Sequence, residues 1–299
     1  MKLRQIGEDR LLARLVRHLA HRENVLAGPG DDCAVVESPR EGELLLLKTD
    51  CVVESIHFAQ NDEPAAVGWK AMMRPVSDFA AMSGVPQFAL ITLVASPTKT
   101  LAWTTKLYGG LKKAAHKFNV QIVGGETSAT RGPAVISVSV AGFVEKNRWV
   151  SRSGGHANDD LFVTGRLGGS IRGKHLRFVP RLAEARWLTD NFSIHAMIDL
   201  SDGLGADLPR LARASRLGFE IDENALPRNR GCTIAQAIND GEDFELLFAT
   251  TPRERGRLET NWRKNFPKLP LTRIGRLTRK SQIANRKSKW HGYVHFKKR

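Results

Sequence analysis

Residues 196–218 read AMIDLSDGLGADLPRLARASRLG. Residues 196–200 are a short apolar run with one acid near the end, which predicts a buried strand. Residues 204–217 have helical spacing, which predicts a helix closed by Gly218. Ser201, Asp202 and Gly203 make the turn, so strand gives way to helix at a corner holding Asp199 and Asp202. Ser201 or Asp202 can cap that helix and leave backbone N–H groups for a phosphate. An ordinary N-cap, which needs no ligand, uses the same residues.

The alternation of strand and helix extends outward from this corner. Residues 161–164 and 244–249 read as further strands of the same half, and residues 34–36, 44–47, 88–94, 120–123 and 135–144 as strands upstream. Residues 64–83 and 101–118 have helical spacing, although Pro75 interrupts the first and Gly109 and Gly110 weaken the second. Residues 7–20 predict an amphipathic helix with Leu11, Leu12, Leu15, Val16 and Leu19 on one face. Such a pattern is that of an α/β or α+β protein. The polar stretch 145–160, with Ser153, Gly154 and Gly155, reads as a linker and divides the chain into residues 1–145 and 146–299.

Composition narrows the class. With 299 residues, 41% hydrophobic and 26% charged, the chain is too long for a mini-protein and too apolar for a disordered one. Its longest aliphatic run, residues 44–47, is far short of the roughly 20 apolar residues that span a bilayer. Glu8, Asp9, Arg10, Arg14 and Arg17 stand where a signal peptide needs apolar residues, so a soluble cytoplasmic protein is expected. Cys33, Cys51 and Cys232 match neither a disulfide framework nor a zinc site and read as reduced thiols. The net charge of +15 suggests nucleic acid, but residues 252–299 alone carry +14, with the rest nearly balanced.

The acids fall at the ends of predicted strands and in turns. Asp31 and Asp32 follow Gly28-Pro29-Gly30, Asp50 ends the strand begun at Leu44, Glu126 follows Gly124-Gly125, and Glu242 and Asp243 follow Gly241. Carboxylates so placed are a common way to hold Mg²⁺, which takes oxygen ligands and bridges to phosphates. Any one of them alone is equally an ordinary turn residue. Asp78 sits on a helix that is apolar nearly all round, where a charge needs a partner: a metal, or Lys70 or Arg74 in an ion pair. Residues 168–174 fit the spacing of a P-loop, but His175 stands where a Mg²⁺-binding Ser or Thr belongs, which excludes one. There is no G-x-S-x-G elbow and no His-rich metal motif.

Eight segments in order resemble the thiamine-monophosphate kinases, of the superfamily that includes aminoimidazole ribonucleotide synthetase and selenophosphate synthetase. They are Gly28-Pro29-Gly30-Asp31-Asp32; Thr49-Asp50 with His57-Phe58; Ser77-Asp78-Phe79-Ala80-Ala81-Met82; and Gly124-Gly125-Glu126-Thr127. Arg152-Ser153-Gly154, the Asp199 to Gly203 corner, Gly241-Glu242-Asp243-Phe244-Glu245-Leu246 and Gly292-Tyr293-Val294-His295-Phe296 complete the set. The resemblance implies a two-domain aminoimidazole ribonucleotide synthetase-like fold, with an N-terminal sheet domain that dimerises and a C-terminal α/β domain. It implies a homodimer that transfers the γ-phosphoryl group of ATP to thiamine monophosphate, with several Mg²⁺ ions.

By the same resemblance Asp32, Thr49, Asp50, Asp78, Glu126, Asp199 and Asp202 are Mg²⁺ ligands, direct or through water. Tyr108, Gly125, Glu126, Arg152 and Ser201 are ATP contacts. His57, Asn239, Glu242 and an aromatic of the tail, Tyr293 or Trp290, meet the substrate, whose thiazolium cation suits an aromatic face. The phosphate acceptor is already anionic, so no general base is expected. Glu126 departs from the family's usual Asp, Lys48 from its usual hydroxyl residue, and Asp240 from its usual Gly. Two other readings are another ATP-dependent enzyme of the superfamily with a different acceptor, and a nucleic-acid-binding protein using the basic C-terminal segment. No aromatic-basic module supports the second, so nucleic-acid binding is expected to be weak and non-specific.

Overall fold

The computed structural model describes residues 3–19, 22–279 and 290–293. The chain begins with α1 (Leu3–Ile6) and α2 (Glu8–Val16) and continues through β1 (Val25–Ala27), β2 (Ala34–Glu37), β3 (Glu43–Val53) and α3 (Pro64–Ala81). β4 (Val85–Ala95), α4 (Leu101–Lys117), β5 (Gln121–Ala129) and β6 (Val135–Glu145) follow. The strands form one sheet in the order β1-β2-β3-β6-β4-β5, in which only β4 and β5 pair in parallel. Burial alternates along it: Leu44, Leu46, Ile136, Val138, Ala89 and Ile91 point to the core, while Leu47, Phe88, Leu90 and Val123 point to an open face.

α3 and α4 cover the inner face, and glycines set how closely they approach. A Cβ added at Gly110 would lie 1.9 Å from the Ala65 carbonyl oxygen, and one at Gly68 would lie 2.0 Å from that of Leu107. The expected weakening of α4 at Gly110 is therefore repaid in packing, and the helix continues. Likewise Pro75 does not break α3, which runs unbroken for 18 residues. Tertiary burial overrides the local penalty: Met72, Met73, Val76 and Phe79 join the first core, and Ala80 and Ala81 join another core beneath the second sheet.

The second sheet is antiparallel throughout, in the order β8-β10-β7-β11-β9. Its elements are β7 (Asp160–Thr164), α5 (Leu182–Asn191), β8 (Ile194–Asp199), α6 (Leu204–Ala214), β9 (Gly218–Ile221), α7 (Ile234–Asn239), β10 (Leu246–Thr250), α8 (Arg255–Asn265) and β11 (Leu271–Thr278).

Three local expectations are corrected. Asp50 and Glu126 lie inside β3 and β5 rather than at strand ends. α6 stops at Ala214: Arg216, at φ 56°, takes the left-handed closing position, and Gly218 opens the next strand. Neither Ser201 nor Asp202 caps α6, whose N-cap is Gly203. The basic segment folds in part into α8 and β11, where Arg255 and Arg273 both pair with Asp160, and Arg276 pairs with Glu220. Arg286, Lys287, Lys289, Val294, His295, Phe296, Lys297, Lys298 and Arg299 lie outside the described residues. Among the described residues no helix is long and apolar enough to cross a membrane.

Candidate active site

α3 supplies the centre of the site because its middle is buried between the two sheets. Lys70, Arg74 and Asp78 follow one another at intervals of four residues, and Ser77 lies beside Asp78, so one stripe of the helix is polar. Asp32, from the loop after β1, and Asp199, at the end of β8, converge on Asp78: one oxygen of each lies within 4.8 Å of the others. All three carboxylates are buried.

Each has a distinct set of partners. Arg152 donates to both oxygens of Asp32, at 2.6 and 3.1 Å. Lys48 Nζ donates to Asp78 at 2.7 Å and lies 3.9 Å from Asp50, which accepts from Arg74 at 3.2 Å. Ser77 Oγ donates to Asp199 at 2.6 Å. Asp78 therefore pairs with neither Lys70 nor Arg74, the two ion-pair partners expected from its own helix. Burial, with Asp32 beside it, pushes the Asp199 carboxyl up to about 7. Burial pushes Asp78 upward too; Lys48 opposes this, while Asp199, Asp50 and Asp32 add to it. Burial would also raise Asp50, but Arg74 and Lys48 hold it below the usual carboxylate range. Asp202 lies across the cleft, paired with Arg210 at 2.5 Å. The cleft has a volume of about 440 Å³ and is lined also by Asp31, Ser201 and, from α2, Glu8, Leu12 and Val16.

Arg74, Ser201 and Asp202 line a second cavity of about 390 Å³ as well, whose other walls include His57, Asn239, Glu242, His291 and Tyr293. The two spaces therefore share a wall. Its loop is strained: Glu242 and Phe244 adopt φ of 64° and 52°, a left-handed conformation uncommon for such side chains. Glu242 accepts from the fully buried Lys70 at 2.8 Å and lies 3.2 Å from His175 Nδ1 and 3.4 Å from Arg74. Burial works against its charge, yet His175, Lys70 and Arg74 hold its carboxyl down to about 2. Phe244 stacks on Phe178 with ring centroids 3.8 Å apart, which fixes the loop from beneath. His57 Nδ1 accepts from the backbone of Val53. Asn239 accepts from the His291 N–H at 2.9 Å, and the Tyr293 N–H donates to the Asp202 carbonyl at 2.7 Å, so residues 291–293 dock on the corner. The P-loop-like turn is occupied internally, since the N–H groups of Gly168 and Gly169 donate to Asp243 and Asp240.

The structure thus gathers Asp32, Asp50, Asp78, Asp199, Asp202, Arg152 and Ser201 around one cleft, and His57, Asn239, Glu242 and Tyr293 around the adjoining cavity. Trp290 is placed elsewhere: it packs on Phe219 and donates to Glu223. Thr49 points to the open face of the first sheet, where Ser139 donates to it at 3.0 Å. Glu126 is exposed on β5, in the register row Cys51, Ser137, Thr92, Glu126. Three strand spacings, about 14 Å, separate it from β3. Gly125 lies beside it, and Tyr108 packs from α4 against the first core. Lys48, Arg74, His175 and Arg210 are additions. The four-residue spacing of Lys70, Arg74 and Asp78 on an apolar helix was a signal for Arg74, whereas His175 and Arg210 carried none.

The model of the AIR synthase related protein N-terminal domain matches residues 30–144, and that of the C-terminal domain matches residues 141–258. The chain is 35% identical over 297 residues to the thiamine-monophosphate kinase of Rhodopirellula baltica, covering 93% of this chain and 92% of the relative. It is 30% identical to that of Bacillus subtilis, covering 98% of this chain and 100% of the relative. A solved structure described as AaThiL complexed with AMPPCP and TMP superposes with a TM-score of 0.83 at 30% identity, covering 99% of each chain.

Proposed function

The chain belongs to the thiamine-monophosphate kinase family, and on that premise we propose that it transfers the γ-phosphoryl group of ATP to thiamine monophosphate, yielding thiamine diphosphate and ADP. The observation that carries this reading is the wall shared by a carboxylate-rich cleft and a second cavity, with Arg74, Ser201 and Asp202 facing both. A nucleotide with its metal ions suits the first space, and a small phosphate ester suits the second. AaThiL is complexed with AMPPCP, an ATP analogue, and with TMP, which supports the same pairing here.

The donor set fits Mg²⁺. Asp32, Asp78 and Asp199 offer only hard oxygen donors within 4.8 Å of one another; burial first, and then the neighbouring carboxylates, raise the carboxyls of Asp78 and Asp199, a cost that a divalent cation relieves. Asp32, Asp50, Asp78, Asp199 and Asp202 are assigned as its ligands, direct or through water. When bound, Mg²⁺ supplies neutralisation of phosphate charge. The chain's own residues do the rest. Arg152 and Ser201 contact the nucleotide phosphates, and Arg74 is positioned for the phosphoryl group between the two spaces. His57, Asn239, Glu242 and Tyr293 hold the acceptor, with the Glu242 carboxylate and the Tyr293 ring suited to a thiazolium cation. The attacking phosphate oxygen is anionic, so alignment and charge neutralisation replace a general base.

Thr49, Gly125 and Glu126 fit this scheme through a homodimer formed on the open face of the first sheet. Leu47, Phe88, Leu90 and Val123 are 41–52% exposed there, an apolar patch that a second copy would cover. A metal with bonds of about 2 Å cannot join residues of β3 and β5 across about 14 Å of one sheet, so Glu126 is assigned to the partner's site. Tyr108 is assigned to the nucleotide more loosely. The boundary between the two functional units is set at residues 145 and 146. The protein is assigned to the cytoplasm, and nucleic-acid binding to a weak, non-specific role, since Arg255, Arg273 and Arg276 are engaged in ion pairs. Incubation with ATP, Mg²⁺ and thiamine monophosphate tests the reading: thiamine diphosphate must appear in step with ADP. ADP formed only with a different phosphate acceptor would move the chain to another activity of the superfamily.

A further inference from the structure

The turn that leads into β7 and the start of β8 bring together a second group of metal-ligating side chains, at the opposite end of β8 from Asp199. His156 Nδ1 lies 3.1 Å from His195 Nδ1, which in turn lies 2.8 Å from Asp159 Oδ2. One ligand atom from each of the three residues falls within 4.8 Å of the others. Asp159 is buried and His156 is exposed, so the negative charge sits inside and the mouth is open to solvent.

Proton accounting shows what this arrangement wants. A neutral imidazole carries one ring N–H. If His156 Nδ1 donates to His195 Nδ1, the latter has no hydrogen for Asp159, and two acceptors face each other across 2.8 Å. If His195 Nδ1 donates to Asp159, its hydrogen points at the carboxylate, and His156 is left with at most a share of it. A cation that accepts a lone pair from all three atoms removes the conflict.

Geometry and chemistry then select the ion. Bonds of about 2.0–2.2 Å at tetrahedral angles set neighbouring donors about 3.3 Å apart. The separations of 3.1 and 2.8 Å reach that value with an opening of about half an ångström or less. Two imidazoles and one carboxylate suit zinc-class ions, whereas Mg²⁺ prefers oxygen alone. The ligands are also held in place by backbone. The His156 N–H donates to Asp159 at 2.7 Å, and Asn158 and Asp159 exchange hydrogen bonds with Leu277 of β11.

We propose that His156, Asp159 and His195 bind one divalent transition-metal ion of the zinc class, leaving a fourth position to water, and that the ion fastens the segment between the two sheets to the edge strand β8. The test uses the full chain, stripped with chelator and titrated with Co²⁺ in excess Mg²⁺. The expected result is about one Co²⁺ per chain with a tetrahedral visible band, displaced by Zn²⁺. The band should be lost in His156→Ala and in His195→Ala and retained in Asp78→Asn. Both histidine variants should still form thiamine diphosphate, which shows that they fold, while Zn²⁺ should raise the melting temperature of the parent chain and of neither histidine variant. His156 lies on the surface, so its variant keeps the test valid if His195→Ala misfolds. Absence of the band in the parent, its persistence in His156→Ala, or its loss in Asp78→Asn would overturn the proposal.

Discussion

At Asp78 the electrostatics of the cleft reduce to one carboxylate between other carboxylates and a single ammonium. Replacing it with Asn removes the cost of burying that charge and its repulsion from Asp199, Asp50 and Asp32, which together outweigh the lost attraction to Lys48, so the Asp78→Asn chain should melt no lower than the parent. Turnover should nevertheless fall by about 10²- to 10³-fold, because an amide holds Mg²⁺ poorly where phosphate charge must be neutralised. Initial rates and melting curves on the same preparation check both halves. A lowered melt with normal turnover of the folded fraction would make Asp78 structural. Lys48 poses the converse case, since its ammonium occupies an Asp78 oxygen that a metal would also seek. Lys48→Ser should destabilise the metal-free chain by about 1–3 kcal/mol, the worth of a charged hydrogen bond, and added Mg²⁺ should restore more stability to it than to the parent. Urea unfolding with and without Mg²⁺ measures this, and equal Mg²⁺ effects on the two chains would show that Lys48 and the metal do not compete.

Two elements that meet at the shared wall respond to pH with opposite sign. The β8–α6 corner carries Asp199, whose carboxyl is raised from 3.8 to about 7 by burial. In that window the folded chain holds a proton that the unfolded chain has released. Its contribution is therefore present below about 4 and lost as pH rises through about 7. The Glu242 loop carries a carboxyl lowered from 4.5 to about 2, so its contribution is present above about 4.5 and lost as pH falls toward 2. In chelator the melting temperature should fall from pH 5 to pH 8 and also fall below pH 4. Mg²⁺ should remove the first slope, and Glu242→Gln should flatten the second. A chelated chain with no slope between pH 5 and 8 would show that Asp199 is not protonated in the fold. At this scale the sequence spoke unevenly. Long periodic elements such as α3 and β6 were readable because burial imposes its period on them, and the Asp199 corner because strand, turn and helix signals abut there. β1, β9, β11, α5, α7 and α8 were not read. β1 has only three residues, β9 and β11 depend on pairing with distant segments, and the mostly short helices draw stability from tertiary contact rather than pattern. The pairing of Asp78 with Lys48 was hidden for the same reason: 30 residues separate them in sequence, and only the sheet–helix packing brings them together.

At the scale of the whole molecule, Thr49 and Glu126, which the family resemblance implies as metal ligands together with Asp50, point away from Asp50. Alternation along β3 settles the local part: Lys48 and Asp50 lie on the inner face and Thr49 on the outer. Glu126 lies about 14 Å from β3 along the same outer face, too far for a shared ion within one chain. The proposed two-fold dimer on that face would reconcile both facts, since it would bury Leu47, Phe88, Leu90 and Val123 and would present one protomer's β5 to the other's β3. Leu90→Asp should therefore yield a monomer by sedimentation and abolish turnover while leaving the chain folded. Complementation tests the sharing of residues more directly. Asp78→Asn and Glu126→Gln should each be nearly inactive alone. Unfolded and refolded together in equal amounts, half of their dimers will be mixed. Each mixed dimer contains one site with both substitutions and one site with neither, so activity should recover to about one quarter of the parent's. If Glu126 instead serves its own chain, every site in the mixture carries one substitution or the other, and no activity returns.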